Sequence, residues 1–485
     1  MLAQIQQQVE RLKNQGATYV DTRWYPSETT NSLVMWNGNL KNAAVTRESG
    51  VGVRVLYRGA WGFAASSDTS SLAGVYARAF DNARFAAERV TFPVRLAEKD
   101  TIQARFASPC QVNPVDVPLA DKVAFLQQMD QHLNQPGVTQ RVISLDFIHK
   151  QIVFIDSEGS QIEKEITEAF AQLWVVGQDA QGETYERTYG LAQEGQPTRG
   201  WESLDPQRFA ENAERIVREL NETLVAQPCP QDMRSVILLP GIMHLQTHET
   251  IGHALELDRI LGYELAYAGG SFVTLDDFGK LRYGSEKLTA RADATLPNSP
   301  GSFGFDDDGV PARNNLLIDR GILVGAISGR QMVEEANARA RRPIFDGSGG
   351  ANRATAFYRV PIERMTNINI DPGSDGSLEQ IIAGTEKGLV MDGARSWSIG
   401  SNREQFHFAT EIAWLVEDGQ KRQVVKNPTY LGKTLEFYNA LSAVGDASTW
   451  RLEYIPTCGK GQPNQVMQVA HGVPVCRFDH VRVGE

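Results

Sequence analysis

Apolar residues recur every three to four positions at the start of the chain. In "MLAQIQQQVERLKNQGATYV", Leu2, Ile5, Val9 and Leu12 form one stripe, which predicts an amphipathic helix. The period then shortens. "ATYVDTRWY" and "NSLVMWNG" predict strands, and "GVGVRVLYRGAWGFAAS" predicts a hairpin turning at Arg58-Gly59. "SSLAGVYARAFDNARFAAE" predicts a helix with Ser70 or Ser71 as its cap. Pro93, Pro109, Pro114 and Pro118 mark an extended connector. A second helix at "LADKVAFLQQMDQHL" leads into three strand-like runs, "RVISLDFIHK", "QIVFIDSEG" and "QIEKEITEAFAQLWVVGQD", with "DSEGSQ" as a turn. A helix follows at "PQRFAENAERIVRELNETLVA", and "QPCPQD" at 227–232 reads as a linker. Beyond it strands and glycine-rich turns dominate, apart from one helix rich in histidine.

The chain has 485 residues, too many for one ordinary core. The pattern predicts an α+β fold in three parts. Residues 1–118 form an N-terminal α/β domain with a mixed sheet, and 119–230 a strand-rich middle region of helices and strands. Residues 231–485 form a mostly-β C-terminal domain that carries the histidine helix.

That helix lies in "RSVILLPGIMHLQTHETIGHALELDRIL". His248 and Glu249 open a pattern close to H-E-x-x-H, the helical zinc-protease signature, but the second histidine, His253, comes one residue late. At 100° per residue, side chains five apart point roughly 140° away from each other. Both can reach one ion only if the helix contains a π-type turn closed by an i to i+5 bond. Gly252 is placed to ease such a distortion or to end the regular helix. The plainer reading is a helix that merely contains two histidines. Glu249 and the preceding strand and turn favour the metal. His244, four residues before His248, is read as a structural histidine or one that lines the site.

Composition narrows the partners. A net charge of −11 argues against affinity for nucleic acid or anionic lipid. No apolar run approaches the roughly 20 residues that span a bilayer. The N-terminus lacks a basic start followed by an apolar core, so it is not read as a signal peptide. Four scattered cysteines are too few for a disulfide framework, and a reduced, cytoplasmic setting follows. A catalytic zinc usually takes three protein ligands and keeps a fourth position open. The downstream candidates for the third are Cys458, His471, Cys476, His480 and many carboxylates. Cys458 stands out in "PTCGKGQPNQ", where Gly459 and Gly461 leave the backbone free to curl around a thiolate.

These stretches together resemble the TldD/PmbA family of zinc metallopeptidases, in particular its metal-binding TldD-type subunit. The resemblance is carried by "GVGVRVLYRGAWGFAASSD", "HETIGHALELD", "FGFDDDGVPARNNLLIDRGILVGAISGR", "RMTNINIDPG" and "CGKGQP", in that order. It implies that His248, His253 and Cys458 hold Zn2+ and that Glu249 is the general base. It also implies an endopeptidase for unfolded or extended peptides, such as leader segments of modified precursors or small unfolded proteins. A dimer with a homologous metal-free subunit of the TldE/PmbA type, or a homodimer, is implied as well. The stretches "GARSWSIGSNREQFHFATEI" and "RPIFDGSGGANRA" depart from the better-known members, which bears on substrate preference.

Asp306, Asp307 and Asp308 in "FDDDGVPARN" lack the spacing of a calcium loop. They read as a solvated turn or as carboxylates gripping a substrate amine or backbone. "GSGGANR" at 347–353 lacks the ending of a phosphate loop and reads as a turn. Two rival functions compete with hydrolysis. One is a non-catalytic binding protein, since family members were long described as modulators of DNA gyrase. The other is a copper centre with Met467 as a weak fourth ligand. Glu249 beside the histidine pair favours hydrolysis over both.

Overall fold

The computed structural model describes residues 1–190 and 199–485. Its first half is built on one seven-stranded sheet. The strands are β1 (Tyr19–Trp36), β2 (Asn39–Tyr57), β3 (Ala60–Ser66), β4 (Gln103–Ala107), β5 (Gln140–Asp156), β6 (Gln161–Gln178) and β7 (Thr184–Gly190). Their order is β3-β2-β1-β5-β6-β4, with β7 on the far end of β6. The sheet is mixed, because β4 runs parallel to β6 while the other pairs are antiparallel. It draws strands from both sides of residue 118, so the N-terminal and middle stretches share its ladder.

Several short runs read separately along the chain are single long strands. "ATYVDTRWY" and "NSLVMWNG" are both β1, and Pro26 between them falls at a bulge where the register to β2 shifts between Tyr25 and Glu28. A bulge tolerates the missing N–H of proline. "RVISLDFIHK" and "QIVFIDSEG" join as β5 because no turn residue separates them. The Arg58-Gly59 turn forms as expected. Both residues have positive φ, 49° and 79°, the pair of conformations that closes a two-residue hairpin with the native twist.

Two helix pairs cover the sheet. Helices α1 (Leu2–Asn14) and α2 (Leu72–Ala87) pack Ile5, Val9, Leu12, Val75 and Tyr76 against Val51, Val53, Val55 and Ile155. Ser71 precedes α2 but makes no side-chain capping bond. Helices α3 (Leu119–Leu133) and α4 (Pro206–Leu224) bury Phe125, Met129, Phe209 and Ile216 against Leu145, Phe147 and Leu173.

The second half is strand-rich and holds the largest core. Strand Asp232–Leu238 lies between Lys387–Ile399, parallel to it, and Cys476–Val483, antiparallel. Continuing through Thr429–Lys433 and Gln405–Glu417, the ladder returns to Lys387–Ile399, so five strands close on themselves. The linker stretch is itself tied down, since Gln227–Pro228 pairs with Val425 and Lys426. Among the described residues no helix is long and apolar enough to cross a membrane.

Buried charges join the halves. Lys164 on β6 reaches Asp307 at 2.8 Å and the Phe305 carbonyl at 3.0 Å. Arg54 on β2 bridges Asp21 and Asp308 at 2.6 Å each. Arg330 pairs with Glu158 at 2.8 Å and donates to the Ala97 carbonyl. Burial alone would raise the Asp307 carboxyl, but Lys164 and Arg23 beside it outweigh that and hold it down to about 2. A carboxyl whose pKa falls on folding stabilises the fold above its ordinary pKa and loses that stabilisation as pH drops through the lowered value. Lys164→Met strands a buried carboxylate and should cost about 3 kcal/mol. Urea unfolding at a series of pH values should show the full difference from wild type only where the carboxyl is ionised in both proteins. The difference should begin to shrink as pH falls through the carboxyl's higher pKa in the variant, and be smallest near pH 2, where Asp307 protonates in wild type as well.

Candidate metal centre and active site

Strand Asp232–Leu238 is followed by Leu239, and Pro240 starts helix α5 (Pro240–Thr247) at its first position, where the missing N–H costs no intrahelical bond. At His248 the helix widens into a single π turn, His248–Gly252, followed by a 3-10 turn, His253–Leu255. The His253 N–H donates to the His248 carbonyl, the i to i+5 bond that the late histidine requires. The two imidazoles are thereby restacked with centroids 4.6 Å apart. Gly252 keeps an ordinary helical φ of −54°, so it is not there for conformational freedom. A β-carbon at this position would overlap the Met365 sulfur, and glycine is what lets that side chain pack against the turn.

Cys458 comes from the hairpin Arg451–Lys460/Gln465–Val473, 205 residues beyond His253. Its sulfur lies 3.7 Å from His253 Nε2. Donor atoms of His248, His253 and Cys458 all fall within 4.8 Å of one another, and all three residues are buried. An ion with arms of about 2.3 Å to sulfur and 2.05 Å to nitrogen at tetrahedral angles sets those donors about 3.6 Å apart. The Cys458–His253 separation matches that spacing, and the donor chemistry suits such an ion.

Neighbouring groups aim the donors. His253 Nδ1 sits 2.9 Å from Glu256 Oε2, which also accepts from Arg259 Nε at 2.7 Å. Glu256 Oε1 lies 3.3 Å from the fully buried Lys460 ammonium, which donates to Asp258 and the Glu363 carbonyl at 2.7 Å each. Lys460 stands two residues beyond Cys458, so the strand of one donor is tied to the carboxylate that orients another. His248 Nδ1 lies 2.7 Å from His471 Nε2, whose Nδ1 accepts the Ile368 N–H at 3.0 Å. Arg364 donates to the Cys458 sulfur at 2.9 Å and to its carbonyl at 2.6 Å. The bond to sulfur thus comes from a side chain, not from the curled glycine backbone expected, and Cys458 lies on a strand after a bulge.

The electrostatics suit a donor set. Burial lowers His248 to about 4 and also lowers His253, so both rings are neutral near pH 7. Burial would raise the Cys458 thiol, but Arg364 and His253 outweigh it and bring it below its ordinary value. Neutral imidazoles and a thiol inclined to ionise are the forms that bind metal. Glu249, adjacent to His248 on the π turn, is 8 % exposed, and Arg403 Nε stands 4.0 Å from its Oε2. His244 lies outside the donor group. Its Nδ1 bonds the Pro240 carbonyl at 3.1 Å, and its ring lines a cavity of about 170 Å³ with Arg187, Asp392 and Glu453. Cys476 is buried apart from the donor group, and Met467 opposite Cys458 is buried on the neighbouring strand.

The reading of Asp306, Asp307 and Asp308 as substrate-gripping or solvated residues is corrected. All three are buried and already committed. Asp306 accepts from the backbone of Asp308, Val310 and Asn352, Asp307 from Lys164 and the Ala354 N–H, and Asp308 from Arg54 and Asn352. Asp307 and Asp308 clamp the two halves of the molecule, and Asp306 holds the turn that carries them. Arg364, Glu256, Lys460 and Arg403 escaped the sequence reading. Lys460 and Glu256 lie within two or three residues of a donor and were signalled only by that proximity. Arg364 and Arg403 are brought in by the fold.

Known proteins resemble the chain along its length. Models of the PmbA/TldA metallopeptidases match in order: domain 1 at residues 25–87, the central domain at 112–225 and the C-terminal domain at 231–485. A metalloprotease of Methanocaldococcus jannaschii is 28% identical over 458 residues, 94% of each chain. A zinc metalloprotease TldD homolog of Saccharolobus solfataricus is 22% identical over 98% of each. Among solved structures, TldE of Thermococcus kodakarensis superposes with a TM-score of 0.72 at 16% identity, over 99% of this chain and all of that one. A Thermotoga maritima protein described as a candidate modulator of a DNA gyrase gives 0.75 at 14%, over all of both. At such identities these two structures speak for the fold alone.

Gly252→Ala tests the packing under the π turn. The added methyl must displace Met365, which should cost about 1–3 kcal/mol, read as a lower thermal midpoint in the metal-free protein.

Proposed function

This chain is a metallopeptidase of the PmbA/TldD family, and on that footing we propose that it is a zinc-dependent endopeptidase for unfolded or extended polypeptide. The observation that carries this reading is the convergence of His248, His253 and Cys458 within 4.8 Å, with Glu249 next to His248 on the same turn. His248, His253 and Cys458 would hold the ion. Two imidazoles and one thiolate suit zinc and leave a fourth position open. When bound, zinc supplies Lewis-acid polarisation of the scissile carbonyl and makes water more acidic. Glu249 takes the proton of the attacking water and returns it to the leaving amine. Glu256 holds the His253 ring through Nδ1, and the Arg364 guanidinium balances the thiolate charge.

The proposed substrate is a flexible segment: a leader of a modified precursor or a small unfolded protein. In the proposed assembly the chain pairs with a homologous metal-free subunit, or with a second copy of itself, in the cytoplasm. The pair encloses the site in a chamber that only an extended polypeptide enters. TldE of Thermococcus kodakarensis shares the fold, as a homologous partner subunit would. Compact domains would then be spared. One small protein, digested in its native state and again after a destabilising mutation, should be cut only in the second form. Equal rates would remove the gate.

Two substitutions separate the roles. Glu249→Gln should keep one zinc per chain and lose at least about a hundredfold in casein cleavage, because an amide accepts no proton. Glu256→Gln should keep the fold by circular dichroism but weaken zinc binding about 10–100-fold in chelator competition, since it loosens the hold on His253. Zinc loss in the Glu249 variant would make Glu249 a ligand or a support instead of the base.

A further inference from the structure

Arg403 lies in the turn between strands Lys387–Ile399 and Gln405–Glu417, inside "GSNREQF". Three features mark it in combination, the first shared with other arginines such as Arg58 and Arg341. Its φ is 69°, in the left-handed region that residues other than glycine, asparagine and aspartate seldom occupy. Its side chain is buried, the whole residue being 8 % exposed, and among the described residues Glu249 is its one ion-pair partner. Its Nε is buried without a hydrogen-bond partner and stands 4.0 Å from Glu249 Oε2.

The rest of the guanidinium is pinned. Nη1 donates to the carbonyls of Gly400 and Ser401 at 3.3 Å each, and Nη2 to the Ala268 carbonyl at 2.9 Å. The turn is held in place in its own right. Gly270 N–H bonds the Ser401 carbonyl at 2.9 Å, Phe272 N–H the Asn402 carbonyl at 2.8 Å, and the Thr434 hydroxyl the Arg403 carbonyl. Carbonyls satisfy N–H groups but do not neutralise a charge, and a buried unneutralised cation is costly. The unpartnered Nε faces the Glu249 carboxylate, the one acid within ion-pair distance of Arg403 among the described residues. Glu249, for its part, accepts no hydrogen bond from any described residue. Its adjacency to His248 places it beside the donor group, but no hydrogen bond from a described residue fixes where its carboxylate points.

We propose that Arg403 is the positioning residue for Glu249: its carbonyl-anchored guanidinium presents Nε–H to the Glu249 carboxylate and fixes the aim of that carboxylate. The inference rests on the reading of Glu249 as the base. A carboxylate held in one orientation acts at a far higher effective concentration than one free to turn. Planarity matters here. Only a fork whose far nitrogens sit on carbonyls can hold its near one on a carboxylate, and lysine cannot do both.

The test uses the full chain loaded with zinc, with casein as the substrate. Arg403→Gln should keep zinc affinity within about threefold in chelator competition. Its kcat should fall about 10–100-fold with KM little changed, as expected when an interaction of the transition state is lost. Arg403→Lys should lose about tenfold. In the Glu249→Gln background, Arg403→Gln should do no further harm, because the two act as a unit. An equal additional loss in that background, or wild-type kcat in either variant, overturns the proposal. If Arg403→Gln does not fold, Arg403→Lys carries the same comparison. A crystal structure of the metal-loaded variant adds a readout independent of turnover. The Glu249 carboxylate should leave its single orientation, and an unmoved carboxylate overturns the proposal. Equal turnover by wild type and Glu249→Gln would instead overturn the reading of Glu249 as the base, and the crystallographic comparison would still report on Arg403.

Discussion

One backbone hydrogen bond makes the site possible: the His253 N–H to the His248 carbonyl. In a regular α-helix the two rings would diverge by about 140°. Lengthening a single turn by one residue brings them to centroids 4.6 Å apart without breaking the helix. Such a turn forfeits regular i to i+4 bonds, so something must hold it. Met365 packs against Gly252 on one side, where any side chain would exclude it. On the other, Tyr283 donates to the Thr250 carbonyl, and Tyr438 meets the Thr250 hydroxyl at 3.0 Å. The turn is buried throughout, which turns a locally weak geometry into a fixed one.

The third donor raises a different difficulty, since a thiol 205 residues away must reach the same point. A buried ionic chain solves it. Glu256 takes His253 at one oxygen and Lys460 at the other, and Lys460 belongs to the strand of Cys458. A buried pair of this kind adds little net stability and is costly to break. Its use here is registry. If the hairpin slipped by one residue, Lys460 would lose Asp258 and Glu256 at the moment Cys458 left the histidines.

How far the sequence could be read follows from the range of each interaction. Local signals were legible: the amphipathic stripe of α1, the Arg58-Gly59 turn, the mixed strand-rich character and the need for a π turn, which spacing alone demands. Boundaries failed where a non-local ladder overrode a local break, as when Pro26 became a bulge inside one strand. The three aspartates failed for a similar reason. Asp306 to Asp308 look like a solvated turn until the β2 and β6 cations arrive, and Arg54 and Lys164 are more than 140 residues away from them. Arg364 and Arg403 carry no local mark. Each matters only because of a donor or a carboxylate that the fold places beside it.

Those distant cations also explain why the site-bearing half does not stand apart. The turn at 305–310 receives Lys164 and Arg54 from the first sheet, and its far side hydrogen-bonds Asn352, next to Arg353. Arg353 in turn donates to the carbonyls of Met365 and Gln468. Met365 packs under the π turn, and Gln468 belongs to the strand paired with that of Cys458. A run of polar contacts and side-chain packing therefore leads from the first sheet to both sides of the donor group. Its bonds through Lys164, Arg54 and Asn352 are short, directional and buried, in a setting where misplacement is expensive. The first half of the chain contributes none of the three donors, yet this run ties its sheet to the turn and the hairpin that carry them.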